Sequence, residues 1–206
     1  MWKKIKENQM LLCCGEKKRI AVFVSGKGSN FSALLLRQKL GLLKGKIVLC
    51  VSDNPHAFAL DIAKKNKIET NVLSDPSNAD EIISLLDKHN IFLVVLAGYI
   101  KMIPSKVVEH YKRRIVNIHP ALLPSFGGKG FYGIRVHEAV IKAGVKETGV
   151  TVHFVDEIYD HGPVIIQSKI KVKPKDTPQT LQKRVLKVEH SIYWKAINKV
   201  LSEKGC

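Results

Sequence analysis

The chain has 206 residues, 45% hydrophobic and 25% charged, and this composition fits one globular domain and excludes a disordered or fibrous protein. The formal net charge of +16 favours anionic partners, but the lysines are spread along the chain, as is typical of a solvated surface and not of a nucleic-acid-binding stripe. The four cysteines show neither a disulfide framework nor a metal-ligand spacing, so we expect a reducing compartment, the cytoplasm, and no metal.

Residues 1–18, MWKKIKENQMLLCCGEKK, precede the first patterned segment. Their apolar stretch is short and broken, well under a signal-peptide core or the roughly 20 residues that span a bilayer. We expect a poorly ordered N-terminal extension, no membrane association, and a single domain over residues 19–206.

From residue 19 onward, apolar strand-like runs alternate with helical segments. The predicted strands are IAVFV, KIVLCVS, ETNVL and IFLVVLAG, and the predicted helices between them cover residues 30–40, 55–66 and 79–89. Such alternation is typical of a parallel sheet covered by helices, and the unbroken apolar run of the fourth strand suits a strand buried on both faces. We therefore predict a Rossmann-like, doubly wound α/β fold.

The second half continues the same sheet. RIVNIH is a predicted strand, and the Pro/Gly-rich stretch PALLPSFGGKGFYG after it is a predicted functional loop, followed by a helix over residues 134–143. GVTVHFV and GPVIIQSKIKV, separated by DEIYDH, predict an antiparallel strand pair. Thr177 as N-cap and Pro178 at the first helical position predict a long C-terminal helix. Its apolar stripe consists of Leu181, Val185, Val188, Ile192 and Ile197.

A glycine-rich turn stands between the first strand and the first helix. It contains Gly26, Gly28, Ser29 and Asn30, where backbone N–H groups and the positive helix end can hold a phosphate. Phe31 occupies the place of the third small residue of a dinucleotide turn, so a monophosphate fits better than a pyrophosphate. Turns of this kind also occur without any ligand.

Two further segments carry candidate chemistry. Asn117 and His119 have period-two spacing at a strand end, so they point to one face and could stabilise an oxyanion and exchange a proton. The loop DEIYDHGP supplies Asp156, Glu157 and Asp160, and a carboxylate near His119 would orient the imidazole and favour its protonated form. A histidine at a strand end and an acidic loop are each also common without catalysis. The sequence contains no G-x-S-x-G, H-E-x-x-H, paired C-x-x-C or Walker A motif.

Five segments, in order, are similar to one enzyme family: VSGKGSN, VLAGYIKMIPS, VNIHPALLPSF, VTVHFVDEIYDHGPVI and VEHSIYW. From about residue 19 to near the C-terminus the chain resembles the formyltransferases that use 10-formyltetrahydrofolate, in particular those that act on glycinamide ribonucleotide. The resemblance implies that the formyl group passes to the amine of glycinamide ribonucleotide, giving formylglycinamide ribonucleotide and tetrahydrofolate in de novo purine (IMP) biosynthesis. It implies 10-formyltetrahydrofolate as co-substrate and no metal.

The resemblance also assigns residues. It implies a catalytic trio of Asn117, His119 and Asp160. The implied ribonucleotide-binding residues are Gly28, Ser29, Asn30, Pro120 and Glu189. The implied folate-binding residues are Ile100, Lys101, Met102, Ile103, Val108, Asp156, Glu157 and Asp160. Lys101 stands where many members carry arginine, and the loop over residues 127–133 is longer and richer in glycine than in several relatives.

Three alternatives are weighed against this function. Methionyl-tRNA formyltransferase would suit the basic charge, but its members carry an additional C-terminal domain. Formyltetrahydrofolate deformylase would carry an N-terminal regulatory domain, for which 18 residues are too few. A non-enzymatic nucleotide-binding module would leave Asn117, His119 and Asp160 unexplained. We therefore expect small-molecule substrates, no nucleic-acid partner, and a monomer or homodimer.

Overall fold

The computed structural model describes residues 17–203, so the expected N-terminal extension lies, except for Lys17 and Lys18, outside the described residues. Seven strands in this part of the chain form one sheet, in the order β3-β2-β1-β4-β5-β6-β7. They are β1 (Arg19–Val24), β2 (Lys46–Ser52), β3 (Glu69–Val72), β4 (Leu93–Leu96), β5 (Ile115–His119), β6 (Glu147–Phe154) and β7 (Val164–Lys171).

The pairing of the strands confirms the predicted fold class. The strands β1 to β5 are parallel, while β6 runs antiparallel to β5 and β7 antiparallel to β6. Parallel neighbours need crossover connections, which the helices provide, whereas the last two strands are joined by a short loop. The sheet is therefore doubly wound in its first part and ends with the predicted antiparallel pair, β6 and β7.

Six helices flank the sheet in the described residues. They are α1 (Ser29–Lys39), α2 (Phe58–Lys65), α3 (Ala79–Lys88), α4 (Ser105–His110), α5 (Ile134–Lys142) and α6 (Pro178–Ser202). Five of them were predicted, with ends that differ by at most a few residues. The sequence analysis missed α4, because a helix of six residues is too short to show a helical period.

Two hydrophobic clusters cover the two faces of the sheet. One contains apolar side chains of α1, α2, α5 and α6, and the other contains those of α3 and α4. In β1 every residue after Arg19 is buried, as expected for a central strand covered on both sides. Among residues 17–203, no helix combines the length and the apolar composition that crossing a bilayer requires.

The position of β1 creates a crevice. In the sheet, β1 lies between β2 and β4. The chain passes from β1 to β2 on one side and later returns to the other side of β1 at β4, so the loops that follow β1 and β4 lead away from each other. In open α/β sheets, ligands bind in such a crevice beyond the carboxyl ends of the strands. We therefore expect a ligand site among the loops that follow β1, β4 and β5.

The long helix α6 is fixed at its start and at its middle. The Thr177 hydroxyl accepts a hydrogen bond from the Thr180 amide at 3.2 Å, as predicted for an N-cap. Four members of the predicted apolar stripe are buried, and Val188 is half-buried. The buried Tyr193 hydroxyl donates to the Leu96 carbonyl at 2.7 Å and lies 3.3 Å from the Val116 carbonyl. Tyr193 thus ties α6 to the end of β4 and to the start of β5.

We predict that Tyr193→Phe lowers the free energy of unfolding by about 1–2 kcal/mol, because a buried carbonyl loses its donor. Urea unfolding followed by circular dichroism measures the change. Tyr132→Phe is the matched control, since the Tyr132 side chain is exposed and its hydroxyl has no hydrogen-bond partner within residues 17–203. Equal stability of wild type and Tyr193→Phe would contradict the prediction.

Candidate active site

A cavity of about 830 Å³ opens at the carboxyl ends of β1, β4 and β5. Most of the residues predicted for the site line it: Ser29, Asn30, Ile100, Lys101, Met102, Ile103, Asn117, His119, Pro120, Asp156, Asp160 and Glu189. Three predicted residues do not. Gly28 is buried within the β1–α1 turn, and Val108, a residue of α4, packs in the core. The Glu157 side chain is exposed outside the cavity.

The Asp160 carboxylate lies between Asn117 and His119. Asn117 Nδ2 donates to Asp160 Oδ1 at 3.2 Å, and His119 Nδ1 is 3.3 Å from Asp160 Oδ2. The Gly128 amide donates to the same Oδ2 at 3.0 Å. Asp160 has φ of 55°, a left-handed conformation that non-glycine residues adopt uncommonly, so the loop after β6 is shaped to direct this carboxylate inward.

His153 belongs to the same cluster, and the sequence analysis missed it. In the antiparallel pairing of β5 with β6, His153 lies directly opposite Asn117, so both side chains stand on one face of the sheet. His153 Nε2 is 3.2 Å from Asn117 Nδ2 and 3.6 Å from Asp160 Oδ1. Its Nδ1–H donates to the Phe154 carbonyl at 2.7 Å, which directs Nε2 toward Asn117 and Asp160. The segment VTVHFV contains this histidine, but the residue that it contacts depends on the register of β6 on β5, which a single segment does not reveal.

His119 is nearly inaccessible to solvent, with 3% of its surface exposed. Burial lowers the pKa of His119 below 6.5, while the Asp160 carboxylate and the Phe126 carbonyl act in the opposite direction. Asp160 thus favours the charged imidazole, as the sequence suggested, but the effect of burial on the pKa of His119 is larger. His119 Nε2 lies 2.8 Å from the Phe126 carbonyl, which can only accept, so this nitrogen carries a proton.

Asp160 stays ionised in this setting. Burial alone would raise its pKa, but the contact with His153, the nearby His119 and the Gly128 amide together hold the pKa of Asp160 below 3.8. Hydrogen bonds to a carboxylate stabilise its charged form. The cluster therefore contains a permanent negative charge that gains an Nδ1–H donor whenever His119 is protonated.

His137 is a second buried histidine at the cavity. It lies in the first part of α5, and its Nδ1 has no hydrogen-bond partner in the described part of the chain. Burial lowers its pKa from 6.5 to about 4, and the nearby His119 acts in the same direction. His137 is therefore a neutral polar wall of the cavity at neutral pH.

The start of α1 faces the cavity with unpaired donors. Gly28 is the N-cap with φ of 74°, and a Cβ there would meet the Cβ of Ala59 at 2.7 Å, so this turn accepts only glycine without strain. No side chain caps the helix, and the first backbone bond of the turn runs from the Ser32 amide to the Gly28 carbonyl. The amides of Ser29, Asn30 and Phe31 thus have no acceptor among residues 17–203.

Glu189 connects α6 to this helix start. Asn30 Nδ2 donates to Glu189 Oε2 at 2.5 Å, and each of the two residues is only 8% exposed. Burial raises the pKa of Glu189, and the hydrogen bond from Asn30 opposes that effect. The Asn30 Oδ1 atom has no hydrogen-bond partner in the described residues, so a buried acceptor faces this end of the cavity unused.

The other end of the cavity has an apolar wall. Ile100 and Met102 follow β4, Ile158 and Tyr159 belong to the loop after β6, and all four side chains are at least one third exposed. A cluster of exposed large apolar side chains beside a cavity is typical of a ligand-binding surface. The loop keeps its path because Gly162 has no room for a side chain: a Cβ would lie 2.0 Å from the Phe154 carbonyl.

The chain is similar to known proteins over most of its length. Residues 18–197 match the family model described as Formyl transferase. The chain is 42% identical over 195 residues to the chloroplastic phosphoribosylglycinamide formyltransferase of Arabidopsis thaliana, covering 91% of this chain and 67% of that one. It is 37% identical over 190 residues to the phosphoribosylglycinamide formyltransferase of Bacillus subtilis, covering 89% and 95%.

A solved structure is similar over the same range. The crystal structure of phosphoribosylglycinamide formyltransferase from Bacillus halodurans superposes with a TM-score of 0.84 at 38% identity, covering 91% of this chain and 97% of that one. The chain thus spans about 67% of the length of the plant relative and about 95% or more of the two bacterial ones.

We predict that His137 makes stability depend on pH. The unfolded chain takes up this proton near pH 6.5 and the folded chain only near pH 4, so stability is complete above pH 6.5 and is lost as the pH falls toward 4. Lowering the pH from 7 to 5 should reduce the free energy of unfolding of the wild type by about 2 kcal/mol through this side chain. His137→Gln should remove that part, measured by urea unfolding at both pH values. Identical pH dependence in wild type and variant would contradict it.

Proposed function

The chain belongs to the formyl transferase family, and on this basis we propose that it transfers the formyl group of 10-formyltetrahydrofolate to the amine of glycinamide ribonucleotide. The products are formylglycinamide ribonucleotide and tetrahydrofolate, within purine biosynthesis. The observation that carries the proposal is the Asp160 carboxylate held between Asn117 and His119 inside a cavity. One side of this cluster offers donors for a phosphate, and the other offers an apolar wall.

The ribonucleotide fits the α1 side of the cavity. The free amides of Ser29 and Asn30, at the turn that Gly28 forms, would hold its phosphate, because a helix N-terminus attracts anions. The buried Glu189 carboxylate accepts hydrogen bonds and suits the sugar hydroxyls. Pro120, next to His119, would form the cavity wall beside the substrate amine. With the phosphate and the sugar held there, the amine points along the cavity toward Asn117.

The folate fits the opposite side. The residues from Ile100 to Ile103 and the loop that contains Asp156 and Asp160 would contact the flat pterin ring, with apolar side chains on its faces and backbone groups at its edge. Lys101 lines the cavity and is exposed to solvent, where it would meet the anionic glutamate tail. Val108 and Glu157 would act from outside the cavity lining, Val108 by packing beneath this wall.

The chemistry is a transfer between two nitrogens. The amine nitrogen forms a bond to the formyl carbon, the bond from that carbon to the folate nitrogen breaks, and a proton moves from the amine to the folate nitrogen through water. During attack, negative charge develops on the formyl oxygen, and Asn117 Nδ2 and a His119 N–H donate hydrogen bonds to it. Donors that act on charge present only after attack lower the barrier more than they tighten binding.

The electrostatics of the cluster assign the role of Asp160. Burial of His119 disfavours an imidazolium, and the Asp160 carboxylate is the charged group that opposes this effect. As negative charge develops on the formyl oxygen, it adds to that influence, and a protonated His119 becomes the stable form. His119 Nε2 must leave the Phe126 carbonyl to reach the substrate, so the loop after β5 is part of the mechanism.

We further propose that residues 19–206 form one catalytic domain, and that it acts as a monomer or homodimer without nucleic-acid partners. The proposal for the domain rests on the single sheet. We also propose a cytoplasmic location, from the cysteine pattern of the sequence. A fluorescent fusion of the full chain distinguishes the cytoplasm from an organelle such as the chloroplast named for the plant relative. Sedimentation equilibrium gives the oligomeric state.

The activity is tested by mixing the full chain with both substrates and following the absorbance of the folate product. Folate product that forms only when glycinamide ribonucleotide is present supports the proposal. Product formed at the same rate without the ribonucleotide would mean that water accepts the formyl group, and the assignment would be a deformylase instead. Absence of product under both conditions would also overturn it.

We predict that Asn117→Ala and His119→Ala each lower kcat by at least about 10²–10³, the usual cost of one oxyanion donor. Asp160→Asn should be similarly impaired, because an amide cannot supply the charge that favours the imidazolium. Steady-state kinetics at saturating substrates and equilibrium binding separate turnover from affinity. His110→Ala, an exposed histidine on α4 outside the cavity, is the control. A kcat within about tenfold of wild type for His119→Ala would exclude the trio from the chemistry.

A further inference from the structure

Two lysines stand at the ribonucleotide end of the cavity. Lys27 belongs to the turn between β1 and α1, directly before Gly28, and Lys183 lies on α6. Both side chains line the cavity and are exposed to solvent. Within residues 17–203, neither lysine is part of an ion pair. We propose that Lys27 and Lys183 bind the phosphate of the ribonucleotide from two sides, an inference that rests on the proposed function.

The fold places the two lysines on elements that are joined to each other, the β1–α1 turn and α6. Lys27 is part of the turn whose free amides follow at Ser29 and Asn30. Lys183 precedes Glu189 by six residues on α6, or about 9 Å along the helix axis. Since Glu189 is hydrogen-bonded to Asn30, α6 is held against the start of α1, and Lys183, nearer the start of α6, lines the same cavity. A sugar at Glu189 therefore leaves its phosphate between α1 and Lys183.

The charge balance of this end of the cavity requires cations. A phosphate monoester carries about −1.5 to −2 charges near pH 7, whereas a helix N-terminus offers only about half a positive charge. Two ammonium groups supply the missing positive charge, and Lys27 and Lys183 are the cavity-lining lysines nearest in sequence to α1 and Glu189.

The other cations of the cavity wall stand elsewhere. Lys101 follows β4 beside the apolar wall, and Lys129 belongs to the loop before α5. Arg135, in the first turn of α5, stacks on the Tyr132 ring with its guanidinium carbon 5.0 Å from the ring centroid. None of the three belongs to the β1–α1 turn or to α6, so the phosphate charge is assigned to Lys27 and Lys183.

The test compares two substrates, glycinamide ribonucleotide and the riboside that lacks its phosphate. Lys27→Ala and Lys183→Ala should each raise KM for the ribonucleotide about tenfold, and the double variant about a hundredfold, the loss expected for charge-assisted hydrogen bonds. Since the contact is uniform binding, kcat should stay within about twofold. KM for the riboside should not change. Matched controls for lost charge are Lys187→Ala and the double variant Lys65→Ala/Lys187→Ala, exposed positions outside the cavity.

Three outcomes overturn the inference. A parallel rise of KM for the riboside would assign the lysines to the sugar or to the structure, an equal effect in the controls would mean that only net charge matters, and an unchanged ribonucleotide KM would exclude both lysines. If the wild type formylates nothing, the proposed function fails separately. Equilibrium binding of ribose 5-phosphate against ribose then decides on the lysines: the double variant must lose the preference for ribose 5-phosphate that the wild type shows.

Discussion

The Asp160 carboxylate orients the polar side chains at the centre of the cavity. Its two oxygens meet Asn117 and His119 from β5, His153 from β6 and the Gly128 amide from the loop before α5. A buried charge is tolerated only when donors such as Asn117 Nδ2 and the Gly128 amide compensate for lost hydration. The left-handed turn at Asp160 and the glycine that follows two residues later serve this placement, because any side chain at Gly162 would collide with the Phe154 carbonyl.

The cavity has two chemically different sides, which meet at the cluster around Asp160. On one side the unpaired amides of α1, the exposed Lys27 and Lys183 and the buried Glu189 suit a charged and hydroxylated ligand. On the other side exposed apolar side chains of the loops after β4 and β6 suit a flat ring. The reacting atoms of two such ligands would meet only where both sides end, beside Asn117 and His119. The three parts lie together because the carboxyl ends of β1, β4 and β5 share one edge of the sheet.

The histidines show why composition is a poor guide to charge in this site. The chain carries a net charge of +16, and within residues 17–203 nearly all lysines are exposed. At the cavity, burial holds His119 and His137 toward their neutral forms, while Asp160 remains ionised. A neutral imidazole next to a fixed carboxylate can be charged when negative charge develops on a substrate. The local field, set by burial and by hydrogen bonds, therefore decides the protonation states.

The sequence by itself determined the features that depend on neighbours along the chain. Strand and helix periods, the Thr177 cap with Pro178, the glycine turn at Gly28 and the spacing of Asn117 and His119 are local patterns, and the structure has each of them. Features that depend on partners far along the chain could not be read in this way. The contact of His153 with Asn117 requires the register of β6 on β5, and the pKa of His119 depends on burial by several elements. Tertiary structure decided these, because strand register and desolvation are properties of packed elements and not of any single segment.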